Sequence, residues 1–201
     1  IVQHRCKDGR LLWGEILSKP VRDAQGTVVG HHGITRECSE RVRLEEEVRQ
    51  LAFYDALTKL PNRRLLDDRL AKAMAAGQRS GRYGALMVLD LDNFKPLNDA
   101  HGHHAGDLLL AEVARRLSGC VRAVDTVARF GGDEFVVILS ELSSDRAVSA
   151  NEARVVAEKI RLNLAMPYRL TLTQVGQPDV EVLHHCSASI GVVLFRNHDN
   201  N

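Results

Sequence analysis

The sequence predicts an α+β or α/β protein built on a ferredoxin-like sheet with helices packed against it. Three observations lead there. From Leu86 onward, strand-length apolar runs and helix-period stripes alternate as strand, helix, strand, strand, helix, strand, the order of a ferredoxin-like unit. Residues 129–135 read Arg-Phe-Gly-Gly-Asp-Glu-Phe, with two glycines for a tight turn and two carboxylates at its tip. The apolar run 85–89 is closed by Asp90, which places a carboxylate at the rim of the sheet. In such a sheet the first strand and the central hairpin can be neighbours, so Asp90 is expected close to Asp133 and Glu134.

The elements follow in order. Residues 1–38 hold short strand-like pieces: Leu11-Leu12-Trp13 after the turn Lys7-Asp8-Gly9, Ile16-Leu17 before Pro20, and Thr27-Val28-Val29 after the turn at Asp23 to Gly26. Three short strands cannot bury a core alone. Residues 39–54 predict a helix, with Ser39 as candidate N-cap and Leu44, Val48 and Leu51 as a narrow apolar stripe. A solvated linker helix fits that stripe. So does a coiled-coil seam joining two copies, and the position before a catalytic-looking block favours the seam.

Pro61 stops the next segment and Asn62 can cap a helix whose face is Leu66, Leu70, Ala73 and Met74, ending near Gly77. The strand at 85–89 is followed by a loop. A second helix then carries Leu109, Leu110, Val113, Ala114 and Leu117. After the acidic hairpin, with its buried strand at 135–139, Ala153, Val156, Ala157, Ile160 and Leu164 line a third helix. Residues 168–173 and 180–183 suggest a peripheral hairpin turning at Gly176-Gln177-Pro178, and 187–194 a last core strand.

The whole-chain properties narrow the function. At 201 residues there is room for one full domain and a fragment of another. A net charge of +1 gives no global attraction to nucleic acid or an anionic membrane. No stretch approaches a bilayer span and no signal peptide is visible, so no membrane contact by this segment is expected. The chain opens at Ile1 without Met, which predicts a piece of something longer, with a parent that could be membrane-anchored. Cys6, Cys38, Cys120 and Cys186 are far apart, the pattern of reduced thiols in a cytoplasmic protein. His101, His103, His104, His184 and His185 lack zinc spacing. No Walker loop or GxGxxG appears, so a nucleotide site must use another architecture.

Three clustered carboxylates repel one another unless a cation neutralises them. Hard oxygen ligands suit Mg²⁺ or Mn²⁺, which commonly bridge carboxylates and phosphates. Two such ions can activate a hydroxyl and stabilise a leaving pyrophosphate. The competing reading is an acidic surface with no ion.

Two resemblances add to this. KDGRLLWGE (7–15) and PVRDAQGTVVGHHGITRE (20–37) resemble the last strands of a PAS sensory domain. DALTKLPNRR (55–64), DLDNFKPLNDAHGHHAGDLLL (90–110), RFGGDEF and SIGV (189–192) together resemble the GGDEF family of diguanylate cyclases. The implied organisation is a C-terminal PAS fragment at 1–38, a linker helix at 39–54, and a GGDEF domain at 55–201, truncated at its C-terminal end, with the family's nucleotide-cyclase, palm-like sheet.

The second resemblance implies condensation of two GTP to cyclic di-GMP with release of two pyrophosphates. It makes Asp90, the Leu91 carbonyl and Asp133 ligands of Mg²⁺ or Mn²⁺. Glu134 becomes a catalytically required acid, either a further ligand or the group that helps deprotonate the 3′-hydroxyl. Asn98 and Asp107 become guanine readers; Asp107 reads alternatively as the N-cap of the following helix. Asn93, Phe94 and Lys95 form a loop near the phosphates, and Gly131 and Gly132 leave room for substrate. Each half-site holds one GTP, so a homodimer is required.

Arg122 and Asp125 match the family's product-inhibition site for cyclic di-GMP; a surface ion pair is the plain alternative. Lys59 stands where the family has glycine, and His101 where it has an aromatic residue; both are expected to tune rather than abolish activity. The family continues past SIGV into a helix whose lysine and arginine hold the triphosphate. The longer parent is therefore expected to be an active cyclase and this chain weak or inactive. The alternatives are a GTP- or cyclic di-GMP-binding module that regulates an attached phosphodiesterase or other output domain, and a dimerising spacer.

Overall fold

The computed structural model describes residues 1–173 and 179–196. The chain divides into two compact units, Ile1–Ala52 and Phe53–Asn201. In the first unit β1 (Val2–Arg5), β2 (Leu11–Arg22) and β3 (Val28–Glu37) form an antiparallel sheet in that order. The pieces expected around Leu11 and Ile16 are one strand of 12 residues, with Pro20 inside it opposite His31. β1 reaches only as far as Gly14, so Pro20 has a partner strand on one side alone, where its missing N–H is tolerated. Only Gly14 and Cys38 are buried in this unit, which agrees with a sheet too small to build a core.

Helix α1 (Ser39–Phe53) follows. Ser39 was expected to cap it, but its Oγ accepts a hydrogen bond from the Trp13 N–H instead (2.9 Å). The stripe of Leu44, Val48 and Leu51 is exposed, and no residue of the helix is buried.

The second unit begins with a turn in which Lys59 takes φ 58°, a left-handed conformation. α2 (Arg63–Ser80) is capped by Asn62, whose side chain accepts from the Leu65 N–H (3.2 Å). The helix does not end near Gly77 but runs on to Ser80, where Gly81 closes it at φ 71°. Gly77 lies inside because the chain passes close by: a Cβ there would sit 2.9 Å from the Arg82 carbonyl oxygen.

Next come β4 (Gly84–Leu91), α3 (Phe94–His101), α4 (His103–Cys120), β5 (Thr126–Gly131) and β6 (Glu134–Leu139). They are followed by α5 (Arg146–Leu164), β7 (Tyr168–Leu172), β8 (Val180–His184) and β9 (Ala188–Phe195). The sheet order is β5-β6-β4-β9, antiparallel throughout. Of its four strands, the first in sequence lies between the third and the fourth, as a ferredoxin-like unit requires.

Alternation along β4 explains the layering. Met87, Leu89 and Leu91 point into one core with Leu109, Leu110, Val113 and Leu117 of α4 and Ala153, Ile160 and Leu164 of α5. On the other face Leu66 of α2 packs on Ala128, Val136 and Ile138. Each fully buried leucine contributes roughly 1.5–3 kcal/mol. β6 has a strand on both sides and helices on both faces, so Phe135 through Leu139 are all buried.

Helix α3 replaces the expected loop. Pro96 is its third residue, and a proline in the first turn sacrifices no helical hydrogen bond. β7 and β8 pair as the expected peripheral hairpin; its turn at Gly176-Gln177-Pro178 lies outside the described residues.

Candidate active site

The acidic turn sits between β5 and β6. Gly131 pairs with Glu134 across the two-residue loop Gly132-Asp133, and Gly132 takes φ 53°. A Cβ added at Gly131 or Gly132 would meet nothing within 4 Å, so the space beside the turn is open.

Asp90 is the register partner of Glu134 on one side and of Ser189 on the other. Side chains of directly opposed residues share a face. Glu134, Asp90 and Ser189 therefore form a row across three strands, on the face away from the α4–α5 core, and all are exposed. Like charges opposed in this way destabilise a sheet, a cost that a bound cation removes. Asp133 stands one residue further along, at the loop tip. Among the described residues no group of three or more His, Cys, Asp or Glu side chains could hold a metal ion by itself. The cluster of three carboxylates expected from the sequence is therefore met only in part: Asp90 and Glu134 are opposed by register, and Asp133 stands at the adjoining loop tip.

The strand end is clamped. Asp92 donates its N–H to the Ser187 carbonyl (2.9 Å). Its carboxylate accepts from the hydroxyls of Ser187 (2.5 Å) and Ser189 (3.2 Å). The Cys186 thiol donates to the Asp92 carbonyl (3.3 Å). Burial, aided by the charges of Asp92 and Asp133 against that of Arg116, pushes this thiol up to about 11. It therefore stays protonated and is no nucleophile.

Immediately after the clamp, Asn93 turns the chain at φ 62° into α3, a conformation asparagine tolerates better than most residues. The N–H groups of Phe94 and Lys95 then lie in the first turn of α3, where the helix leaves donors free for an anion. Asn98, on the same helix, has an Oδ1 that is buried without a hydrogen-bond partner. It packs against Gly106 of α4, the residue before Asp107. Asp107 is exposed and lies inside α4, four residues past His103. It is not the N-cap, a position held by Gly102 without a side-chain hydrogen bond.

Arg129 joins the turn to the 55–61 segment. Its guanidinium donates to both Asp55 carboxylate oxygens (3.1 and 3.2 Å) and twice to the Gly132 carbonyl (3.0 and 2.8 Å). Thr58 donates to Asp55 through N–H (2.8 Å) and Oγ (2.7 Å). Burial alone would raise the Asp55 carboxyl, but the hydrogen bonds from Thr58 and Arg129 outweigh it and hold the group below its usual value.

At the Arg-x-x-Asp stretch, the Asp125 carboxylate accepts from the backbone N–H groups of Arg122 (2.9 Å) and Ser140 (3.1 Å). The surface ion pair offered as the plain alternative does not form. A cavity of about 350 Å³ opens beside both residues, lined also by Asn151, Glu152 and Lys159.

Sequence reading brought Asp90 and Glu134 together correctly. It gave no role to Asp55, Asp92, Gly106 or Arg129. The Asp-x-Asp spacing at 90–92 was the visible signal for the clamp; nothing local announces that Arg129 reaches Asp55.

The ferredoxin-like antiparallel sheet with its packed helices is an α+β nucleotide-cyclase fold, the one shared with solved GGDEF structures. Residues 52–201 match the family described as diguanylate cyclase, GGDEF domain, and the chain belongs to that family. Among its relatives is the bifunctional diguanylate cyclase/cyclic di-GMP phosphodiesterase MucR of Pseudomonas aeruginosa. The two are 46% identical over 76% of this chain and 20% of that protein. The solved GGDEF domain of TpbB, also from Pseudomonas aeruginosa, superposes with a TM-score of 0.61 at 34% identity, covering 72% of this chain and 78% of that one. The coiled coil and GGDEF domain of DgcB from Caulobacter crescentus, in complex with c-di-GMP, gives 0.63 at 30% identity, covering 77% and 76%. The chain spans about a fifth to a third of the length of the curated relatives it matches. Among the described residues no helix is long and apolar enough to cross a membrane.

Proposed function

We propose that this chain is the GGDEF part of a diguanylate cyclase, which joins two GTP into cyclic di-GMP and releases two pyrophosphates. The observation that carries the reading is the register of β4 on β6, which sets Asp90 opposite Glu134. Asp90, Asp133, Glu134 and the Leu91 carbonyl would hold Mg²⁺ or Mn²⁺, which supplies charge neutralisation on the triphosphate. The Asp92 clamp fixes the direction of the Leu91 carbonyl. The N–H groups of Phe94 and Lys95, after the turn at Asn93, receive phosphate oxygens. Gly131 and Gly132 keep the space beside the turn clear for them.

Asp107 accepts from N1–H and the N2 amine of guanine. Asn98 completes the base site with its buried, unpartnered amide oxygen. Adenine lacks that pair of donors, and a site left with unpaired polar groups rejects it. Glu134 either completes the ligand set or takes the 3′-hydroxyl proton. One domain offers one base site, so two copies must face each other, each 3′-hydroxyl aimed at the other's α-phosphate. The exposed Leu44, Val48 and Leu51 stripe of α1 suits that pairing, with the 1–38 strands as the end of a PAS sensor.

Product would bind at Arg122 and Asp125. The Arg122 guanidinium makes no ion pair with Asp125 and stands beside the cavity, where arginine can fork onto guanine or phosphate. Arg122→Ala should keep turnover and remove inhibition by added cyclic di-GMP.

The test is incubation of the parent protein with GTP and Mg²⁺, with the product identified by mass spectrometry. Cyclic di-GMP formed by the parent and lost in Glu134→Gln supports the reading. GTP bound without product supports the second reading, a regulatory module attached to another domain. One observation favours that second reading: a bifunctional relative of which this chain matches only 20%.

A further inference from the structure

Gly106 lies buried in the interior of α4, one residue before Asp107. Its φ is not in the left-handed range, so the backbone there does not require glycine. Glycine inside a helix is less favourable than alanine. Helix formation therefore gives no reason for it. The reason is the neighbour: a Cβ at Gly106 would overlap Oδ1 of Asn98 and lie 2.9 Å from its Cγ and 3.1 Å from its Nδ2. All three of the nearest heavy atoms belong to that one amide. The same Oδ1 is buried and accepts no hydrogen bond within the protein.

We propose that Gly106 is a positioning residue for nucleotide specificity: its missing side chain makes the space in which the Asn98 amide is held to read guanine. This rests on the assignment of Asn98 and Asp107 as base readers. The amide lies at the end of a short side chain on α3. A methyl group at position 106 either rotates it or pushes α3 away from α4. Both displace its oxygen, and a hydrogen bond weakens steeply with distance and angle. A guanine donor left without its acceptor then forfeits the desolvation it underwent on binding. Gly106 thus acts on the base alone, through Asn98, without touching substrate.

The experiment uses the 201-residue chain with Mg²⁺ and the α-thio analogues of GTP and ATP, measured by calorimetry. Four proteins are compared: wild type, Gly106→Ala, Asn98→Ala and the double variant. The expected result is roughly tenfold or greater loss of guanine-nucleotide affinity in Gly106→Ala, with adenine-nucleotide affinity unchanged. The melting temperature should fall in Gly106→Ala, where the methyl meets the amide, and recover relative to Asn98→Ala in the double variant, where alanine's helix preference acts unopposed. The double variant should bind no more weakly than Asn98→Ala alone, because the added methyl then fills vacated space. Wild-type affinity and selectivity in Gly106→Ala, or additive losses in the double variant, would overturn the proposal while leaving the base site standing. A wild-type chain with no preference for the guanine analogue would overturn the base site and this inference with it.

Discussion

Removing the Arg129 guanidinium with Arg129→Ala tests how the glycine turn is held. Arg129 and Asp55 have 15% and 24% exposed side chains. The pair is therefore neither a surface bridge worth about 0–1 kcal/mol nor a fully buried one whose breakage costs about 3–5 kcal/mol. Two contacts to a carboxylate and two to the Gly132 carbonyl are lost. Asp55 keeps both Thr58 donors, which limits the penalty for the charge left behind. Hydrogen bonds to charged groups are worth about 1.5–3 kcal/mol, and about 2 kcal/mol is the expected loss. For a unit of this size that is a melting shift of about 4–8 °C.

The assay is urea unfolding of wild type, Arg129→Ala, Asp55→Ala and the double variant. The double should lose clearly less than the sum of the singles. The coupling has a pH signature whose sign is fixed. Asp55 is held below its unfolded value near 3.8, so its contribution is complete above that value and disappears as pH falls through the lower folded one. A loss under about 0.5 kcal/mol, or strict additivity of the singles, would refute the reasoning.

Three further outcomes are expected. Lys59→Gly relieves a left-handed residue at φ 58° and should stabilise the protein by about 0.5–1 kcal/mol, after the added freedom of the unfolded chain is subtracted; an unchanged or lower urea midpoint would count against it. Asp90→Asn removes a like-charge opposition and should raise stability by about 0.2–1 kcal/mol without metal, while wild type alone should gain melting temperature on adding Mg²⁺. Equal gains in both proteins would sever Asp90 from the ion. At pH 8 a thiol reagent should label half-buried Cys6 quickly and Cys186, buried and held near 11, far more slowly; mass mapping of labelled peptides reads the order.

Most of the sheet was legible because its strands alternate or run apolar in ways the core then uses. Asp90 could be placed opposite the hairpin because the ferredoxin-like order leaves few choices for its neighbours. The errors have local causes. α3 takes the place of the expected loop because eight residues are too short to carry a clear helical stripe, and Pro96 falls in the first turn, where it costs no hydrogen bond. Asp107 resembled a cap only because α4 was started too late. Gly77 looked like a helix end, whereas its lack of a side chain serves a passing backbone. Ser39 satisfied a strand N–H rather than a helix end. The Arg129–Asp55 tie and the Gly106–Asn98 contact join residues whose closeness exists only after folding, and no periodicity carries that information.

The pairing of β4 with β6 has an evolutionary consequence. Strand faces repeat every two residues, so a slip of one position would send Met87, Leu89 and Leu91 to solvent and turn Asp90 inward among leucines. Drift that keeps the oily side of this strand therefore keeps position 90 opposite Glu134, while leaving the side chain at that exposed position free to change.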